Sequence, residues 1–295
     1  MKRLPILILG VALLAAACGT APAGSLGRAP AGAAGSSAPV PAPSPTATSP
    51  SGQQPTPSAR EISLQVWFAR NGKLFSTARS IPATPGVGQA ALDRMLAGPS
   101  AAESAAGLRS QIPAGTSLLG LNISSGTATV DLSSSFGSSA SSSAMALRIA
   151  QTVYTLTQFP QVTGVRFKLG GQGVTTIGGV PVQSPQTRAM YASYLPAITV
   201  QSPVIGGQVT SPVTVSGTAD VFEAVVSLRV LDSAGHELAR TFTNATCGTG
   251  CRGSYAVTIS YSVAQPEPGT IEVFETSAKD GSPVNVQLIP VTLAP

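Results

Sequence analysis

The chain has 295 residues, with 17 Lys and Arg against 12 Asp and Glu, few aromatics and abundant Gly and Pro. That length allows two ordinary domains, and the basic residues neither form a run nor lie among aromatics, which argues against the concentrated positive face of a nucleic-acid binder. Residues 61–190 hold nine basic residues against four acids, while residues 191–295 hold four against eight. Opposite signs either draw the two halves, or neighbouring molecules, together or reflect drift in a salt-screened surface.

The chain opens Met1-Lys-Arg, runs through an apolar stretch to Leu14, and reaches Ala15-Ala-Ala-Cys18. A positive start, an apolar run shorter than the roughly 20 residues of a membrane span, and small residues before a cysteine make residues 1–17 an export signal. Leu14-Ala-Ala-Ala-Cys18 resembles a bacterial lipobox, although Ala15 stands where that pattern most often has leucine. The resemblance implies lipidation of Cys18 and anchoring to the outer face of the cell membrane. Residues 18–60 are almost wholly Ala, Pro, Ser, Gly and Thr. Such a composition buries too little apolar surface to offset its ordering entropy, so a disordered spacer is expected, reaching about 35 Å as a flexible coil.

From residue 61 the hydrophobic pattern begins. Ile62–Phe68 and Lys73–Thr77 read as strands joined at Asn71-Gly72, a hairpin turn pair. A helix follows over Pro85–Ala97, ended by Gly98-Pro99, and then a polar loop. Leu118–Ile123 and Thr127–Leu132 are two further strands. Ala146, Ile149, Ala150, Val153 and Leu156 recur at helical spacing until Pro160, and Val162–Leu169 returns to a strand. Interleaved helices and strands over 61–190 predict an α+β domain, a sheet with two helices.

Ala91-Leu92, Leu96-Ala-Gly-Pro99, Gly107-Leu108, Ile112-Pro-Ala-Gly-Thr116, Val130-Asp-Leu-Ser133 and Gln151–Pro160 together resemble the GerMN domain of sporulation and spore-germination proteins. The resemblance implies a small fold similar to the ring-building motifs of secretion-type assemblies, a role in envelope protein assembly, and no catalytic set. Asp131 fits a turn or cap acceptor better than a catalytic acid, since no second acid lies near it. Tyr154, Thr157 and Gln158 are candidate partner-binding residues if they form an exposed face; otherwise they are helix-end side chains satisfying local backbone groups.

Residues 196–295 alternate in short runs without helical spacing: Ile198–Gln201, Val213–Gly217, Val225–Leu231, Glu237–Thr243, Ser254–Tyr261, Gly269–Glu275 and Val284–Leu293. Seven such strands predict an all-β immunoglobulin-like sandwich. Ser202-Pro203, Ser211-Pro212, Val215-Ser-Gly217, Ala219–Ala224 and Val273–Ser282 resemble the immunoglobulin-like domain of bacterial spore-germination proteins, a companion of GerMN. Phe222 and Glu223, inside that motif, are further candidate partner-binding residues.

Cys247 and Cys251, with three residues between them, two of them glycines, form a candidate disulfide of an exported domain. His236 reads as a solvated strand-end residue without a motif-linked partner. One histidine, sparse acids and no nucleophile motif leave no acid–base team, so no enzyme activity, cofactor or metal is expected. The expectation is a membrane-tethered scaffold or regulator that binds envelope proteins, with self-association as a further option; the alternative is a wall-polysaccharide module, for which Trp67 would be the single tryptophan available.

Overall fold

A computed structural model describes residues 60–295; the export signal, Cys18 and the spacer lie outside the described residues. Strands β1 (Glu61–Arg70) and β2 (Lys73–Pro82) form an antiparallel hairpin in continuous register from Glu61↔Pro82 to Arg70↔Lys73. Its turn needs two left-handed residues, and Asn71 (φ 52°) and Gly72 (φ 73°) supply them. Helix α1 (Val87–Leu96) buries Gly88, Ala91, Leu92 and Met95, one face at 3.6-residue spacing. Gly98, left-handed at φ 82°, then stops it.

The expected polar loop contains a short helix, α2 (Ala101–Ala105). The Ser100 hydroxyl accepts from the Glu103 amide, and the Glu103 carboxylate accepts from the Ser100 amide, which is a complete capping box. Strands β3 (Leu118–Ser124) and β4 (Thr127–Leu132) pair antiparallel, and β4 pairs in parallel with β5 (Gly164–Leu169) across helix α3 (Ser142–Leu156). With β6 (Gln172–Gly173) the sheet order is β3-β4-β5-β6, and β7 (Thr176–Ile177) and β8 (Val180–Pro181) make a small separate pair.

The periodicity of α3 predicts one apolar face, but every residue from Met145 to Leu156 is buried. The helix is a central element, packed against β1, α1 and β5. Its polar members are accommodated by hydrogen bonds: Arg148 donates to the carbonyls of Gln111, Phe136 and Ser138.

The remaining strands are β9 (Ile198–Ser202), β10 (Gln208–Thr210), β11 (Val213–Ala219), β12 (Val225–Asp232), β13 (Glu237–Asn244), β14 (Gly253–Ile259), β15 (Glu267–Thr276) and β16 (Pro283–Ala294). They form a five-stranded sheet, β10-β16-β15-β12-β13, facing a three-stranded sheet, β14-β11-β9. Inward residues at alternate positions, among them Val215, Val226, Leu228, Val230, Ile271, Val273 and Ile289, fill the space between them. A bulge at Ser216/Gly217 brings β9 so close that a Cβ on Gly217 would meet the Thr199 carbonyl oxygen. The seven expected strands are present, with β10 added.

The two folded regions share one continuous core of buried side chains. At their seam Arg70 donates to the Leu288 carbonyl and the Gln287 side chain, and Lys73 Nζ donates to the Ser193 carbonyl at 2.7 Å. Among the described residues no ion pair crosses the seam.

Candidate interaction surface

The structure corrects the first group of candidate binding residues. Tyr154 is buried against Trp67, with ring centroids 4.8 Å apart, and its hydroxyl donates to the Arg188 carbonyl. Burial pushes the Tyr154 phenol up, while the nearby Arg188 and Arg252 pull it down by less. Thr157 Oγ1 donates to the Val153 carbonyl at 2.7 Å and accepts from Arg188 Nε at 2.7 Å. Gln158 accepts from the Gln65 amide at 2.8 Å and donates to the Gln65 carbonyl at 2.7 Å, as a neighbouring strand residue would. These side chains satisfy the strand edge of β1 and the end of α3, and do not form an exposed recognition face.

Phe222 and Glu223 are in a different setting. They belong to a tight turn, Phe222–Ala224, joining β11 to β12, and Phe222 is 56% exposed. Among the described residues six non-glycine residues have positive φ, and four of them meet here: Glu223, Ala224, Thr249 and Asn285. Each left-handed non-glycine residue costs on the order of 1 kcal/mol and persists only where its surroundings enforce it, and such residues cluster at functional sites.

The enforcement is visible. The Cys247 and Cys251 sulfurs are bonded, with Cα atoms 5.7 Å apart, and the five-residue loop they close lies against the turn. The Thr249 amide donates to the Val221 carbonyl, the Thr249 hydroxyl accepts from the Glu223 amide, and the Gly250 amide donates to Asp220. A Cβ on Gly248 would lie 2.6 Å from Ala224 backbone atoms, so glycine is required for this approach. On the other side Glu275 accepts from the Phe222 amide at 3.0 Å with one oxygen and from Asn285 Nδ2 at 2.6 Å with the other. Val284, paired across from Glu275, adds a second exposed apolar side chain.

The arrangement is therefore an apolar side chain held out on a braced turn of left-handed residues. Sequence reasoning singled out Phe222 and Glu223 but not Thr249, Asn285 or the role of Glu275, which come from separate parts of the chain and share no local motif. Asp131 accepts from the Gly171 amide, a turn role. His236 is solvated as expected, yet it has a partner: its Nδ1 lies 3.0 Å from Asp232 Oδ2. The His236 amide and ring hold the Asp232 carboxyl below its usual range. Among the described residues no three His, Cys, Asp or Glu side chains converge as metal ligands.

Comparison with known proteins places both folded regions. Residues 55–175 match the family described as sporulation and spore germination, and residues 197–282 match the immunoglobulin-like domain of bacterial spore germination. Among solved structures, the first GerMN domain of the sporulation protein GerM from Bacillus subtilis is 23% identical, covering 43% of this chain and 98% of that one, with a TM-score of 0.38. The tandem GerMN domains of the same protein are 14% identical over 80% of this chain and 61% of that one, with a TM-score of 0.39. A candidate lipoprotein from Clostridium perfringens is 21% identical over 44% of this chain and 89% of that one, with a TM-score of 0.34. No curated protein matches. The assignment rests on the two family matches: the first folded region is a sporulation and spore germination (GerMN) domain, and behind it lies an immunoglobulin-like domain of bacterial spore germination.

Proposed function

We propose that this protein is held by an acylated Cys18 on the outer face of the cell membrane and binds other envelope proteins, acting as a scaffold or regulator rather than as an enzyme. The observation that carries the binding role is the exposed Phe222 on its braced turn. An apolar side chain fixed in advance loses little conformational entropy on docking, which is how a small contact becomes a strong one. The membrane tether rests on the apolar run and the lipobox-like Leu14–Cys18 segment.

The test is crosslinking capture from cells carrying the full-length protein. Phe222→Ala should lose at least about tenfold of whatever partner the unmodified protein recovers, with no change in thermal stability. Equal recovery by the two would overturn the binding role of the tip. Cys18→Ser should move the protein from the membrane fraction to the soluble one; continued membrane fractionation would remove the tether.

A second reading, wall-polysaccharide binding, has one observation in favour. A groove of about 690 Å³ has Ser63, Gln65, Gln201, Ser202, Gln208 and Thr210 set among apolar residues such as Val204 and Val213, an uncharged mixed lining that a sugar chain could use. Against it, Trp67 is buried and cannot serve as a stacking platform. Retention of the purified protein on isolated wall glycan, with no protein partner captured, would favour this reading over the first.

A further inference from the structure

Strand β13 is the outermost strand of the five-stranded sheet, hydrogen-bonded to β12 on one side and to no strand on the other among the described residues. It is eight residues long, none of them fully buried, and it carries Phe242, which is 69% exposed. A long edge strand with an exposed aromatic is a template for another strand, and folded proteins normally blunt or cover such edges.

The face on which Phe242 lies can be read from the register. Phe242 is opposite Ser227 and Arg240 is opposite Arg229 on β12; Ser227 and Arg229 are in turn opposite Phe274 and Glu272 on β15. The guanidinium groups of Arg229 and Arg240 both lie over the Phe274 ring, so all these side chains share the outer face of the sheet. Glu237 and Glu272 neutralise the two arginines, leaving an ion-paired patch that ends at Phe242 on the free edge. A shallow groove lined by Val225, Ser227, Arg240, Thr241 and Phe242 runs beside it.

We infer that the free edge of β13 pairs antiparallel with β13 of a second copy of this chain, about a two-fold axis through Thr241. The argument is self-complementarity. In an isologous antiparallel pair centred on Thr241, Thr241 meets its own copy, each Arg240 meets the Phe242 of the other chain, and each Leu238 meets Asn244. Both Arg240–Phe242 pairs fall on the outer face, where cation–π contact covers the exposed ring, and Thr opposite Thr is a favourable cross-strand pair. Centring on Arg240 would instead set Arg240 against Arg240, and centring on Phe242 would leave both arginines unmatched. The two five-stranded sheets would then continue into one across the dyad.

The test uses the full-length protein in detergent and needs no unknown partner. Sedimentation should report a dimer, and Phe242→Glu, at an exposed position, should weaken it by at least about tenfold. Under mild oxidation Thr241→Cys should crosslink to itself, because directly opposed residues in an antiparallel pair lie within disulfide reach. Asn244→Cys, displaced from the dyad, should not. A monomer at every concentration overturns the inference. So does a dimer that Phe242→Glu leaves intact and that Thr241→Cys fails to trap, since its interface would then lie elsewhere.

Discussion

Glu103 is 1% exposed, a position where burial alone would favour the neutral acid. Burial does push its carboxyl up, but hydrogen bonds from Arg79, from the Thr77 hydroxyl and from the Ser100 amide outweigh it and hold the group below the usual range. Removing the acid strands a partly buried guanidinium, so Glu103→Ala should cost about 2 to 3 kcal/mol by chemical denaturation. Because the folded carboxyl is depressed, its contribution is complete above the ordinary Glu value and is lost as pH falls through the folded value. Acidification below about pH 4 should therefore destabilise the unmodified protein more than Glu103→Gln. A Ser-x-x-Glu spacing is a legible helix-start signal, and here it marks a segment that otherwise looks like polar loop. The partnership of Glu103 with Arg79 and Thr77 is not legible, since nothing in the sequence says that α2 will lie over β2.

Helix α3 and strand β1 make the same point for elements. A strand with one free edge inside a domain leaves amides and carbonyls that must find partners. The partners for β1 are side chains of α3 and the residues just beyond it, together with the backbone of Arg109. Gln158 bonds both backbone groups of Gln65, Gln151 donates to the Trp67 carbonyl, and the Arg109 backbone exchanges both bonds with Ala69. Gln151 lies in α3 and Gln158 just past its C-terminal end, seven residues on, and both reach the same strand. Gln158→Ala should destabilise the protein by about 1 to 2 kcal/mol and speed hydrogen exchange at the Gln65 amide. Unchanged exchange there would show that the glutamine is not what protects the strand edge. Gln151→Leu, which strands the Gln111 amide as well as the Trp67 carbonyl, should cost roughly 1 to 3 kcal/mol. The apolar period of α3 shows one buried face. That its polar face is also buried depends on how many neighbours surround it, and periodicity carries no record of that.

At the scale of the whole molecule, the linker between the domains is short and well held. Arg252 donates to the Pro196 carbonyl at 2.6 Å, and Gly206 comes so close to α2 that an added Cβ would lie 2.7 Å from Ala102 Cβ. Burial lowers the pKa of Arg70, Arg188 and Arg252, which bond mainly to carbonyl oxygens. With one core running through both regions, calorimetry should show a single unfolding transition. Two separate transitions would mean that the shared core does not couple the domains. Arg70→Ala, which removes both Arg70 hydrogen bonds across the seam, should lower the transition by a few degrees without splitting it.

The order of the principal elements, both fold classes, the Asn71-Gly72 hairpin turn and the family of each region could be read from residues close together in the chain. Spacing, turn chemistry and local motifs are properties of neighbours. Three things could not be read that way. Tyr154 and Gln158 turn inward because a hairpin about ninety residues earlier packs on α3 and its C-terminal end. Phe222 is held outward because a disulfide loop and Glu275, some 25 to 50 residues later, meet beneath it. The free edge of β13 follows from a strand order that places it last in its sheet. Each depends on contacts between distant segments, and the energy of a contact belongs to the pair that packing brings together rather than to either residue in its own stretch of chain.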